Sequence, residues 1–386
     1  MSMWQDSVQN ILDTAIRNNE AAGISVLIQQ EEKEPVCFTA GWADKEEQRP
    51  ILRASIFRLY SQTKPITAAA VMLLMQRGVI DLADPVSRYL PGFAGQRVLS
   101  GNSTVPAERE VTLYDLLSMT AGLSYPGDDE AGRYAARVFD ENQLAMDRGE
   151  PGLDTVAFAN ALGGLPLAFQ PGREFRYSTC ADVLGAVVEV ASGRSFAEFL
   201  REEFFVPLGM ADTDFYVPES KRSRLVTCYK HTDKGLEPWT GTHLNCGRYD
   251  RRPAFASGGA GLVSTLDDYL RFALMLRNEG RSEGHTILTP AVVHYMTAPQ
   301  LTEAQRRTYW DSLSGYSYGK LMRVGMEPGQ GKGLIRKDEY GWDGWLGTYF
   351  ANFPHEKLTI LLMQNVTGAG TTAVVRKVRN VILSET

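Results

Sequence analysis

The run Ser61-Gln62-Thr63-Lys64-Pro65-Ile66-Thr67-Ala68-Ala69 decides how this chain is read. From Ser61 to Arg77, apolar residues recur at Ile66, Ala69, Ala70, Leu73 and Leu74, and Gly78 then supplies a stop, which is a helical pattern. Pro65 falls in the first turn, where a missing N–H costs little. Ser61 and Lys64 are three residues apart and so share one helix face. Ser61 stands at the helix start, where free N–H groups and the helix dipole favour developing negative charge. A serine hydroxyl is a weak nucleophile until a base takes its proton. Lysine can be that base only if burial or nearby cations lower its pKa from about 10.4. The apolar residues around Lys64 supply such a setting. Taken alone, the same letters also suit a plain N-cap serine followed by a surface lysine.

Upstream of this run, Met1 to Asn19 reads as an amphipathic helix, with Val8, Ile11, Leu12, Ala15 and Ile16 at helical spacing and Asp6 as N-cap. Gly23–Gln29, Pro35–Ala40 and Ser55–Tyr60 read as strands. Downstream, residues 84–253 are rich in turn signals, with short helices at Leu113–Ser118 and Thr179–Ala191. A helix at Leu266–Arg277 follows the Gly258–Gly261 turn. Tyr316–Val324, Tyr340–Phe353 and Leu358–Gln364 fit an antiparallel run, closed by a helix over Thr371–Leu383. The expected fold class is α/β (α+β): an antiparallel sheet flanked by helices and built from both termini, with an inserted, mainly helical lobe. The expected division is 1–83 with 254–386 as the sheet domain and 84–253 as the insert. A chain of 386 residues is long for a single core.

Composition narrows the function. The net charge is −6 with no basic stripe, so nucleic acid is not an expected partner. There is no stretch of about 18 apolar residues, hence no expected membrane span. The N-terminal stretch lacks the layout of a secretion signal, which points to the cytoplasm. The four cysteines form no CxxC pair, and the five histidines, His231, His243, His285, His294 and His355, have no metal-ligand spacing. Surface or structural roles are expected for all five. No phosphate loop or dinucleotide fingerprint occurs, so neither metal nor cofactor is expected. Oligomeric state is left open.

Three further motifs bear on chemistry. Ser317-Tyr318-Gly319-Lys320 repeats the S-x-x-K pattern, but within an apparent strand, where a separation of three puts the two side chains on opposite faces. Gly315-Tyr316-Ser317-Tyr318-Gly319 is a formal G-x-S-x-G, yet Lys320–Val324 continues the strand rather than opening the helix that a nucleophile elbow needs. Tyr177-Ser178-Thr179 precedes a helix, where a tyrosine can relay protons or simply pack. Gly341-Trp342-Asp343-Gly344-Trp345-Leu346-Gly347-Thr348 lets a strand approach a ligand closely and aim a backbone N–H at an oxyanion.

The order of these motifs resembles the serine β-lactamase and penicillin-binding-protein superfamily, and looks closest to the β-lactamase-like carboxylesterases and class C β-lactamases. The resemblance extends to Gly78–Val86, Leu116–Leu123 and Ser257–Thr265, and so spans nearly the whole chain. It implies Ser61 as nucleophile and Lys64 and Tyr177 as sharers of the proton transfers. It also implies an oxyanion hole made by the N–H groups of Ser61 and Trp345, and a substrate cleft lined by Tyr125. Two positions depart from the family: Thr179 stands where Asn is frequent, and Trp342-Asp343-Gly344 replaces Lys-Thr-Gly. Loss of that lysine removes the cation expected to hold a β-lactam carboxylate. Asp343 adds a negative charge instead, so the substrate-binding set Tyr125, Trp342, Asp343 and Gly344 is expected to favour neutral or cationic small-molecule esters and amides. The alternative is that Asp343 points into the protein and pairs with an arginine, leaving the cleft electrically indifferent. The expected activity is that of a carboxylesterase for small or medium acyl esters. The alternatives on the same scaffold are a D-stereospecific peptidase or amidase, a β-lactamase or an acyltransferase. A catalytically silent binding protein would require Ser61, Lys64 or Tyr177 to be misplaced.

Overall fold

The computed structural model describes residues 3–309 and 313–385. Met1 and Ser2, at the start of the expected first helix, lie outside them. Helix α1 spans Met3–Arg17 and buries Val8, Leu12 and Ala15, one stripe at helical spacing. Strands β1 (Gly23–Gln30), β2 (Val36–Asp44) and β3 (Arg49–Pro50) follow. Near the other terminus come β6 (Tyr316–Tyr318), β7 (Arg323–Gly325), β8 (Tyr340–Asp343), β9 (Tyr349–Phe353) and β10 (Leu358–Met363), then helix α7 (Ala373–Leu383). They form one sheet of order β6-β7-β8-β9-β10-β1-β2-β3, in which β10 and β1, from opposite ends of the chain, pair antiparallel with Val26 opposite Leu362.

The two central strands are buried on both faces, and the period of two sorts their side chains. Val26, Ile28, Ile360 and Leu362 pack with α1 and α7, whereas Leu27, Leu361 and Met363 face the main core. Each fully buried Leu or Ile contributes about 1.5–3 kcal/mol. That main core also takes in helix α2 (Lys64–Gln76), α3 (Leu113–Leu117), α5 (Cys180–Ser192) and α6 (Leu266–Arg277). Residues 84–253 hold α3, α5 and the long helix α4 (Glu130–Asp147), together with two short hairpins, and they share this core with the flanking segments.

Three local expectations change. Within Ser55–Tyr60 only Phe57–Arg58 (β4) is a strand, and it pairs with Val263–Ser264 (β5) rather than with the main sheet. The segment opening at Ser61 begins as a 3₁₀ turn, Tyr60–Thr63, and becomes α-helical only at Lys64. Ser61 is therefore not an α-helix N-cap. Tyr316–Val324 is a hairpin, not one strand: it turns between β6 and β7, with Leu321 at φ +56°.

Candidate active site

The nucleophile candidate sits where three backbone segments converge. Pairing of β4 with β5 draws the Ser257–Gly261 turn onto the start of α2. Thr67 donates to the Gly258 carbonyl at 2.7 Å, and the Leu262 N–H donates to Thr63 at 3.2 Å. On the other side, Gly344 leaves the end of β8 and packs on the backbone beside the serine. A Cβ there would lie 2.3 Å from the Leu59 carbonyl oxygen, so only glycine fits. Thr348 pins the same contact by donating to the Leu59 carbonyl at 3.1 Å. Tyr60, just before Ser61, is buried and held at φ +45°, a strained conformation for a bulky residue.

Lys64 is fully buried, and its Nζ lies 3.1 Å from Ser61 Oγ, 3.0 Å from Tyr125 Oη and 2.9 Å from the Gly259 carbonyl oxygen. It also lies 4.6 Å above the Tyr177 ring. Burial holds its amine down to about 7, outweighing the opposing pull of Asp182. Asp182, in the first turn of α5, accepts from Ser257 Oγ at 2.5 Å and the Gly259 N–H at 3.0 Å, and burial raises its carboxyl above the usual range. Tyr177 is hydrogen-bonded to Ser61 and accepts from Trp342 Nε1 at 3.0 Å. Burial raises both the Tyr177 and Tyr125 phenols, so each keeps its proton near neutral pH.

Two backbone N–H groups complete the geometry. That of Ser61 lies in the first turn of the 3₁₀ segment, where N–H groups have no intrahelical acceptor. That of Trp345 lies in the Gly344–Gly347 turn, closed by Gly347 N–H donating to Gly344 at 2.9 Å, and it meets no backbone carbonyl among the described residues. A cleft of about 560 Å³ opens over them. Of the residues singled out in the sequence, Ser61, Tyr125, Tyr177, Trp342, Asp343, Gly344 and Trp345 all line it, with Lys64 directly beneath.

Asp343 follows the alternative reading, an inward carboxylate paired with an arginine, and not the expected free charge. It lines the cleft but pairs with the buried Arg323 at 2.6 Å and accepts a further bond from Thr371, so its charge is matched rather than directed at substrate. His243 also departs from expectation. It lines the cleft, its ring stacked on Trp345 at 4.0 Å, while His294 and His355 are exposed and paired with Glu279 and Asp338. Asp182, His243, Asn245 and Gln143 were not singled out as site residues in the sequence. Asp182 falls one helical turn after the Tyr177 motif, a faint signal; the other three carry none. Among the described residues no cluster of His, Cys, Asp or Glu is placed to hold a metal, and all four cysteines are free. No helix among them is long and apolar enough to cross a membrane.

The sequence profile described as Beta-lactamase matches residues 8–382. Protein Rv1367c of Mycobacterium tuberculosis (strain ATCC 25618 / H37Rv) is 31% identical over 376 residues, which cover 93% of this chain and 88% of that protein. Esterase EstB of Burkholderia gladioli is 32% identical over 272 residues, 68% of this chain and 67% of its own. Among solved structures, EstCE1, a hydrolase with promiscuous acyltransferase activity, superposes with a TM-score of 0.80 at 26% identity and covers 98% of both chains. A serine beside a buried, low-pKa lysine, set on an antiparallel sheet built from both termini, agrees with these likenesses: the chain belongs to the Beta-lactamase family of serine hydrolases.

Proposed function

We propose that this protein is a carboxylesterase for small or medium acyl esters, working through an acyl-enzyme on Ser61. The observation that carries the reading is the 3.1 Å contact between Ser61 Oγ and a buried Lys64 amine held down to about 7, at the floor of an open cleft. Near neutral pH much of that amine is unprotonated and can accept the serine proton. Oγ then attacks the ester carbonyl, and the resulting oxyanion is held by the N–H groups of Ser61 and Trp345. The C–O bond to the alcohol breaks, and the alkoxide leaves with a proton delivered from Lys64 through the Tyr177 hydroxyl. Water repeats the sequence on the acyl-enzyme, giving up its proton along the same path and releasing the acid. Tyr177 suits a relay because its phenol stays protonated and is bonded to Ser61. Tyr125, in contact with Lys64, supports the amine from the other side.

An ester is favoured over a β-lactam because the strand beside the oxyanion hole carries Trp342-Asp343-Gly344. The cation nearest to it, Arg323, is already paired with Asp343. The test is parallel turnover of p-nitrophenyl esters, nitrocefin and D-amino amides, with intact-mass detection of the adduct. The reading expects the esters to turn over fastest and the acyl group to lie on the tryptic peptide that holds Ser61. Faster hydrolysis of nitrocefin or of the amides would replace the esterase assignment with one of those activities. An adduct elsewhere would remove Ser61 as nucleophile.

A further inference from the structure

The two N–H groups of the proposed oxyanion hole come from segments almost three hundred residues apart, so something must fix one against the other. The backbone side is fixed by Gly344 and Thr348 against Leu59. The indole of Trp345 is fixed from outside the sheet. Tyr60 and Trp239 meet it tilted or edge-on at 5.1 and 5.2 Å, while the His243 ring lies flat on it at 4.0 Å and 19°. We infer that His243 is a positioning residue, whose stack on Trp345 holds that residue's N–H in line with the N–H of Ser61. The inference rests on the oxyanion hole proposed above.

The support under His243 is stiff. His243 and Cys246 exchange backbone hydrogen bonds of 3.0 Å in both directions, closing a tight turn over Leu244 and Asn245. Both tip residues sit at φ +55°, a left-handed conformation that non-glycine residues hold only where their surroundings enforce it. Asn245 does the enforcing: it donates to the Phe139 carbonyl at 2.9 Å and to Gln143 at 3.3 Å, and accepts from Asn142 at 3.2 Å, all on α4. Tyr60 ties the other end by donating to the Cys246 carbonyl at 3.3 Å. The turn of Trp345 is tied through its carbonyls, with the Ala369 N–H donating to Trp345 at 3.0 Å and the Val366 N–H to Leu346 at 3.1 Å, and it ends on the permissive Gly347 at φ +89°. The ring stack adds a hold on the indole itself. Neither ring nitrogen of His243 has a hydrogen-bond partner among the described residues. Burial, helped by Lys64, holds the imidazole down to about 4, so near neutral pH the ring is an uncharged plate. Shape, not charge, is what it offers.

Steady-state kinetics on a p-nitrophenyl ester test this, with phosphonate labelling of Ser61 run alongside. His243→Ala should lower kcat roughly 10- to 100-fold with KM within about twofold, because a misaimed oxyanion donor acts on the transition state more than on bound substrate. His243→Phe restores a flat ring without nitrogens and should recover kcat to within about threefold of wild type. The acid limb of the pH profile should stay in place in both. Should His243→Ala fail to fold, Asn245→Ala loosens the tip while keeping the imidazole, and it should show the same kcat loss. Wild-type kcat in His243→Ala, or in that substitute, overturns the inference. So does a His243→Phe as slow as His243→Ala, which would assign the role to the nitrogens. Wild-type protein that takes no label on Ser61 would instead break the underlying hydrolase reading.

Discussion

The chain contains the same four-letter pattern twice, and the two copies separate what makes a lysine basic from what makes a serine reactive. Lys64 and Lys320 are both fully buried, and burial holds both amines down to about 7. Their surroundings then diverge. Lys64 leaves the first turn of α2 and reaches Ser61, which lines a cleft together with Trp345, and the N–H groups of these two residues meet no backbone carbonyl among the described residues. Lys320 sits in the turn of a hairpin, 3.5 Å above the Tyr114 ring, with Ser118 as its hydroxyl partner at 3.3 Å. Ser317 is fully buried, and its hydroxyl meets no partner among the described residues. A depressed lysine pKa is therefore a property of burial alone. Chemistry needs a nucleophile within reach, an open cleft and donors aimed at the developing oxyanion.

The strongest way to break this contrast is to remove each serine. Ser61→Ala should lose at least about 10⁴-fold in kcat, as for a nucleophile that acts as one unit with its base, whereas Ser317→Ala should keep near wild-type kcat. Matching losses in the two variants, measured on one ester, would erase the distinction. The lysines come next. Lys64→Ala should cost about 10²–10⁴-fold, the range of a general base, and Lys64→Arg should not rescue it because arginine stays protonated. Lys320→Met should leave turnover unchanged. For wild type, kcat/KM should rise with pH through about 7 as the Lys64 ammonium gives up its proton. A profile flat from pH 6 to 8 would mean that the amine is not the base.

The hairpin of the second copy meets the cleft wall from behind: Tyr318 packs edge-on against Trp342 at 5.1 Å, and Arg323 pairs with Asp343. Asp343→Asn leaves that buried guanidinium without its partner and should cost about 3–5 kcal/mol of stability, read by chemical denaturation. Because the pair is already matched, wild type should turn over a neutral ester and its carboxylate-bearing analogue within about 1 kcal/mol in kcat/KM. A much stronger preference for the neutral ester would show that the Asp343 charge reaches the substrate after all.

The smallest effect is on stability as a function of pH. Folding lowers the Lys320 pKa to about 7 from its ordinary value of 10.5, so the unfolded chain binds more protons between those values and stability rises with pH across that window. Lys320→Met removes that rise and, near pH 7, should stabilise by about 1–2 kcal/mol once the lost contact with the Tyr114 ring is set against the relief of desolvation. A variant whose melting temperature follows wild type in parallel from pH 6 to 9 would show that the Lys320 ammonium stays charged.

What the sequence determined by itself was whatever repeats along the chain or lies within one turn. The stripe of Val8, Leu12 and Ala15, the alternation through β1 and β10, and the helix Leu266–Arg277 follow from periods of 3.6 and 2 that any buried face imposes. Ser61 with Lys64 was legible because both belong to one short segment. Tyr177 and the Gly-rich run that holds Trp345 stood out by local pattern, but only the resemblance to a known family gave them roles, and Tyr125 was legible through that resemblance alone. Tertiary structure decided the rest, because it depends on contacts across long stretches of chain. Only the pairing of β4 with β5 and the packing of Gly344 on Leu59 bring Ser257–Gly261 and Trp345 to the serine. Only the fold places Arg323 against Asp343, and so decides between a free charge and a paired one. The same holds for His243, an isolated histidine on a turn that packing carries into the cleft, and for Lys320, whose match to the motif ends at its letters because the chain folds back between β6 and β7. Spacing along a chain fixes direction over a few residues; which surfaces meet is set by how the whole core packs.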